Sequence, residues 1–231
     1  MKKKVLFGSI AAVAMLFSSC ETEVGVDDGP IAEGLMGNAS IVVTGNNGYY
    51  NSGDTVNFTS GITDVFVADN GYHATIAVCA HIDLMDADVV DYPFMGFQVS
   101  DTTTGIYQLD SLLTVERLMT FNADSMKALI SAPSSFNFVV IACSDTSWYM
   151  TTSGSLTISQ YGEMGYNTVG TINNANAFYF TQSDVDSFNA ALESGADNLV
   201  LFNYLKPATI NGTFSCRRAA VINRLMEEFR Q

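Results

Sequence analysis

The feature that most constrains this chain is a long succession of short β-rich runs between Ala39 and Ser215, each closed by turn residues. Ala39–Thr44 is followed by Asn46-Asn47-Gly48, and Thr55–Thr59 and Val65–Ala68 lead to the turn Asp69-Asn70-Gly71. Tyr72–Ile82 alternates over its length. Phe94–Ser100, Ile106–Leu109, Ser155–Tyr161, Thr168–Asn173, Ala177–Thr181, Asn198–Tyr204 and Thr209–Ser215 continue the series. Phe136–Cys143 is almost continuously apolar, as a strand covered on both faces must be. About a dozen strands at this spacing predict a mostly β fold, an antiparallel sandwich or barrel. Composition agrees: 18 Gly against 4 Pro, with 15 Phe and 10 Tyr.

One to three peripheral helices are expected. Ser183-Asp184-Val185-Asp186 reads as a capped start for a helix that stops at Gly195, with Phe188, Ala191 and Leu192 as its buried stripe. Asp124–Ala132 suits a shorter helix ending before Pro133. Val221, Ile222, Leu225, Met226 and Phe229 fall at helical spacing within Arg217–Arg230 and predict a C-terminal helix capping the sheet.

The first twenty residues read as an address. Lys2, Lys3 and Lys4 precede an apolar stretch to Phe17 that is too short and wrongly flanked to span a membrane. Phe17-Ser18-Ser19-Cys20 resembles a lipobox, in which the Cys20 thiol accepts lipid and becomes the first mature residue. Phe17 departs from the aliphatic residue usual at that place. The expected organisation is a signal peptide over 1–19, an acidic tether over 20–35, and one β-rich domain over 36–231. Glu21-Thr22-Glu23 directly after the lipidated cysteine resembles a surface-export signal, which favours the outer cell surface over the periplasmic side.

The net charge is −14, from 10 basic and 24 acidic residues. From Glu21 to Glu116 there are 15 Asp and Glu and no Lys or Arg. Phosphate backbones need clustered cations, so nucleic acid is excluded as a partner. The same charge disfavours contact with an anionic bilayer, leaving the lipid as the membrane anchor.

Three groups of motifs, Tyr92-Pro93-Phe94-Met95-Gly96-Phe97 with Gly105-Ile106-Tyr107, Gly154-Ser155-Leu156-Thr157-Ile158, and Ile210-Asn211-Gly212-Thr213-Phe214, follow one another in this order. In that order they resemble small Bacteroidetes-type lipoproteins with a β-barrel or sandwich, calycin-like body. The resemblance implies fold class and cell-envelope address, and it maps no catalytic residue. For such bacteria the pattern Asp-(Ser/Thr)-aliphatic/Thr marks O-glycan acceptors, and here it points to Thr55, Thr102, Ser111 and Ser125.

Chemistry is sparse. Nucleophile-elbow, phosphate-loop, zinc and dinucleotide motifs are missing, so neither a catalytic site nor a cofactor is expected. His73 and His81 would stand roughly 26 Å apart on one strand, too far to share a metal. Asp83, Asp86, Asp88 and Asp91 lack the spacing of a calcium loop and read as a solvated connection. Beyond Cys20, an exported chain can bridge two of Cys79, Cys143 and Cys216, and a Cys79–Cys143 pair between β runs is one candidate. Trp148, Tyr149, Tyr49 and Tyr50 sit beside turns, where aromatics either stack on a ligand or plug the end of the core. The functional expectation is a non-catalytic binding module for a small ligand or glycan. The alternatives are a structural or adhesion protein acting through protein contacts, and an envelope hydrolase using paired carboxylates.

Overall fold

A computed structural model describes residues 37–45, 48–67, 73–80, 92–131, 135–163, 165–195 and 202–218. The fold is mostly β, as the sequence predicts, with ten strands and three short α-helices among the described residues. The strands are β1 (Gly37–Gly45), β2 (Asp54–Phe58), β3 (Ser60–Val67), β4 (His73–Ala80), β5 (Phe94–Val99), β6 (Gly105–Gln108), β7 (Phe138–Ser144), β8 (Ser147–Gln160), β9 (Asn167–Thr181) and β10 (Lys206–Arg218).

Their hydrogen-bonded path runs β10-β3-β4-β5-β7-β8-β9 and returns to β10. The sheet therefore closes on itself like a barrel, with the β1–β2 hairpin added on the other side of β10. Every pairing is antiparallel except β10 with β3, which is parallel and holds only Arg217↔Ile62 and Arg218↔Thr63. The sheet is thus mixed at one seam rather than wholly antiparallel.

Side chains alternate in and out along the strands, and one set fills the barrel. Ile41, Val43, Phe97, Ile141, Leu156, Ile172, Ile210 and Phe214 are members of this core. Closure needs local bends, and β8 and β9 supply them with paired register shifts. Gly154 has φ +113, and a Cβ there would lie 2.5 Å from the Asn174 carbonyl oxygen, so only glycine fits. Asn174 answers with φ 47, and its N–H donates to Asn211 Oδ1 at 2.7 Å. These bends explain why the expected runs Thr168–Asn173 and Ala177–Thr181 are one long strand, and why β8 begins at Ser147 rather than Ser155: the irregularities interrupt the sequence pattern without ending the ladder.

The helices are α1 (Val115–Met119), α2 (Ala123–Ser131) and α3 (Gln182–Glu193). Among them, α2 packs on the outside of β5 and α3 on the end of β9, with Phe121 between α1 and α2 reaching Trp148 of β8. Ile130 of α2 sits over Gly96, where a Cβ would come within 2.9 Å of it. Phe121 meets Trp148 and Phe180 edge-on, both at 5.1 Å. The N-cap of α3 is Thr181, two residues before the expected start at Ser183. The capping box is Thr181 with Asp184, whose side chains and backbone N–H groups bond reciprocally at 2.8 and 3.2 Å. Val185 joins Phe188 as its buried pair, while Ala191 and Leu192 are only half-buried.

Arg217 and Arg218 belong to β10, so the expected C-terminal helix does not begin there. The Arg218 N–H donates to the Tyr166 carbonyl at 2.9 Å, which continues the strand. The apolar stripe from Val221 to Phe229 lies outside the described residues. So do the leader, Cys20, the tether, His81 and the aspartates from 83 to 91.

Candidate functional site

At one end of the barrel the connection after β1 brings tyrosines together. Tyr50 stacks on Tyr149 at 5.9 Å and 15°, Tyr149 meets Tyr179 at 4.9 Å, and Tyr49 stands edge-on to Tyr50 at 5.1 Å. Lys206 Nζ lies 5.3 Å above the Tyr179 ring. The Tyr149 hydroxyl accepts from the Tyr50 N–H at 3.1 Å. Gly48 lets it approach, since a Cβ at 48 would sit 2.2 Å from that oxygen.

Of the four aromatics expected beside turns, Tyr49, Tyr50 and Tyr149 come together here and Trp148 does not. Tyr149 is 1% exposed and Trp148 is 1% exposed. Trp148 is no loop residue at a mouth: it points outward from β8 into the layer under the helices, against Phe121 and Phe180. Between Val43, Gly48, Tyr50, Tyr149 and Tyr179 the remaining space does not admit a water molecule. The tyrosines therefore seal the end of the core, and only Tyr49, at 52% exposure, offers a free ring. Burial pushes the Tyr149 phenol up to about 12, and burial with the Cys143 thiol nearby pushes Tyr50 higher still. Both stay neutral at ordinary pH and cannot act as bases.

The sulfur that Cys79 approaches is that of Cys216, not that of Cys143, the expected partner. All three are buried free thiols, Cys79 Sγ lies 3.3 Å from Cys216 Sγ, and Cys143 lies against Tyr50. Strand order decides this. Cys79 and Cys216 are in β4 and β10, with only β3 between them, whereas β5 and then β7 carry the wall on to Cys143.

A polar cluster occupies the other end of the barrel. Asp64 Oδ1 accepts from the Val65 N–H at 2.7 Å. Thr75 Oγ1 is 3.1 Å from the Tyr161 hydroxyl, and the Arg218 guanidinium lies over the Tyr161 ring at 5.5 Å. Burial raises the Asp64 carboxyl, while Val65 and Arg218 pull it down. Among the described residues, no three of His, Cys, Asp and Glu converge on a metal position. His73 lies at the start of β4.

A further surface feature is one that single motifs do not reveal. The outer faces of β1, β2, β8, β9 and β10 form cross-strand rows of hydroxyl and amide side chains. One row runs Asn57, Ser40, Thr213, Thr171, Thr157 and ends at Ile106 of β6. Another runs Thr44, Thr209, Asn176, Ser153. Neither row contains a charged residue. The groups are tied to one another: Ser40 Oγ donates to Asn57 Oδ1 at 2.7 Å, Asn173 Nδ2 to Thr171 Oγ1 at 2.9 Å, and Asn176 Nδ2 to Ser153 Oγ at 2.9 Å. An open groove of about 380 Å³ crosses the second row, lined by Thr44, Thr152, Asn176, Phe178, Pro207 and Thr209 among others. The signal was in the sequence as Ser, Thr and Asn at every second position of the strands, and register was needed to align them.

The expected acceptor hydroxyls stand in different settings. Thr55 on β2 and Ser111 are exposed, and Thr102 is half-exposed. Ser125 Oγ is engaged in the start of α2, donating to the Thr120 carbonyl at 3.1 Å and accepting from the Asn122 N–H at 2.8 Å. Compared with known proteins, the chain matches no family model, no curated protein and no solved structure.

Proposed function

We propose that this protein is a lipid-anchored, non-catalytic binding module of the bacterial cell envelope, of the Bacteroidetes lipoprotein type, that engages neutral glycan chains on the outer face of β1, β10, β9 and β8. The observation that carries the reading is the uncharged hydroxyl and amide array with its open groove. A neutral polyol offers donors and acceptors in equal measure, and fixed Thr, Ser and Asn groups can answer both without desolvating a charge. Phe178 in the groove and Tyr49 near the sealed end supply apolar surface on which a sugar face can lie. The lipobox at Cys20 and the acidic tether support anchorage at the outer membrane, with the body held off the surface.

Affinity electrophoresis through gels containing neutral polysaccharides tests the reading. The expected result is retardation that high salt leaves unchanged, because no ion pair contributes, and that Thr209→Glu abolishes while circular dichroism is preserved. Migration unaffected by any neutral glycan, or retarded only by anionic ones, defeats it. A second reading, a structural or adhesion protein, draws on Ile106, which is 68% exposed at the end of the longest row. Self-association that Ile106→Ser reverses, with no glycan retardation, would favour that role.

A further inference from the structure

We propose that Cys79 and Cys216 form a disulfide that clasps the barrel at its weakest seam. The β10–β3 junction rests on two parallel residue pairs, while every other junction of the ring is antiparallel and longer. Cys216 directly precedes the first of those pairs, and Gly61 directly precedes its partner Ile62. Gly61 is in turn the ladder partner of Cys79. Cys216, Gly61 and Cys79 therefore make one row across three adjacent strands, and the two cysteines belong to the interior core.

The middle residue makes the contact feasible. Sulfurs two strands apart are ordinarily separated by the side chain between them. Here that position is glycine, and the sulfurs meet over it at 3.3 Å. A Cβ at 61 would lie 2.9 Å from Cys216 Sγ and 3.3 Å from Cys79 Sγ, in the path of the bond. A disulfide needs an S–S distance of about 2.05 Å and Cα atoms no more than about 7 Å apart, so forming it draws β4 and β10 towards each other over Gly61.

The bond forms while the seam is still open. Both thiols are 0% exposed once the body is folded. The Cys79 thiol beside it and burial push the Cys216 thiol well above its ordinary value, so the folded protein holds little of the thiolate that exchange requires. During folding, one thiolate attacks a small disulfide or a disulfide oxidoreductase, and the second displaces the mixed disulfide. The two cysteines lose two electrons and two protons, one S–S bond forms, and the donor disulfide is reduced to two thiols. The link joins residues 137 positions apart and so restricts the unfolded chain strongly.

The test refolds the full chain, carrying Cys20→Ser, from denaturant in a glutathione redox buffer or in reductant, and maps a non-reduced digest by mass spectrometry. The expected result is one linked peptide pair, Cys79 with Cys216, and a melting temperature roughly 5–15 °C above that of the reduced protein. Cys143→Ser leaves the linked fraction unchanged, and Gly61→Ala lowers it several-fold. Recovery of Cys79 and Cys216 as free thiols after oxidative refolding overturns the proposal, and so does linkage of either to Cys143 or between chains.

Discussion

The two walls of this barrel share one hydrogen-bonded sheet and differ in what lies outside it. On the β4–β5–β7 wall the outward residues Ile76, Val78, Phe94, Phe138 and Val140 are as buried as the inward ones, and Ile130 of α2 packs on Gly96 in the middle of this face. On the β1–β10–β9 wall the outward residues are Ser40, Thr44, Asn176, Thr209 and Thr213, and solvent covers them. The backbone pairing is equivalent in kind, so outward chemistry alone separates a load of packing from a free surface. A wall apolar on both faces must be roofed to be soluble, whereas a wall of hydroxyls and amides stays open and available.

The largest effect should come from the roofed wall. Trp148→Ala removes the ring that Phe121 and Phe180 enclose, at a cost of about 3–5 kcal/mol. Thermal unfolding should then fall by more than about 6 °C. An unchanged midpoint would mean that the indole is a surface group and that the contrast between the walls is false.

A smaller effect separates the polar end from both walls. Burial holds the Asp64 carboxyl above its ordinary value of 3.8. A folded value above the unfolded one means that the fold favours the protonated acid. The contribution is fully present below the unfolded value and is lost as pH rises through the folded one. Asp64→Asn should therefore gain stability on the wild type as pH rises from about 3 to 7 in urea titrations. Parallel pH profiles would show Asp64 to be solvated.

The smallest effect belongs to the open wall. Thr213→Ala, in the centre of the longest row, should shift stability by less than about 0.5 kcal/mol in the same denaturation assay. A loss of several times that would show the hydroxyl rows to be structural, and would weaken their claim to be a binding surface.

The roofed wall was legible in the sequence, because Phe136–Cys143 shows an unbroken apolar run and two-face burial leaves no other pattern. Alternation gave the open wall's strands but not their alignment. Ser40 and Thr171 stand in one row only through the registers of two pairings. The bend at Asn174 splits β9 in the local pattern, and the one at Gly154 hides the first half of β8. The tyrosine seal was legible as a cluster, but its burial depended on Gly48 admitting the Tyr149 hydroxyl. The Cys79–Cys216 contact was not legible, since it depends on a parallel seam between strands distant in sequence.

That seam also sets a timetable. The first strand of the body, from Gly37, pairs along its length with Ala208–Cys216, nearly the last segment described. A chain made from its N-terminus must carry β1 without that partner until β10 emerges, and the ring cannot close before Arg218 is available. Contacts of such long sequence separation make for slow folding and exposed strand edges in the interval. The acidic, lysine-free stretch from Glu21 to Glu116 spans this waiting half of the chain, where mutual repulsion keeps unfinished copies apart.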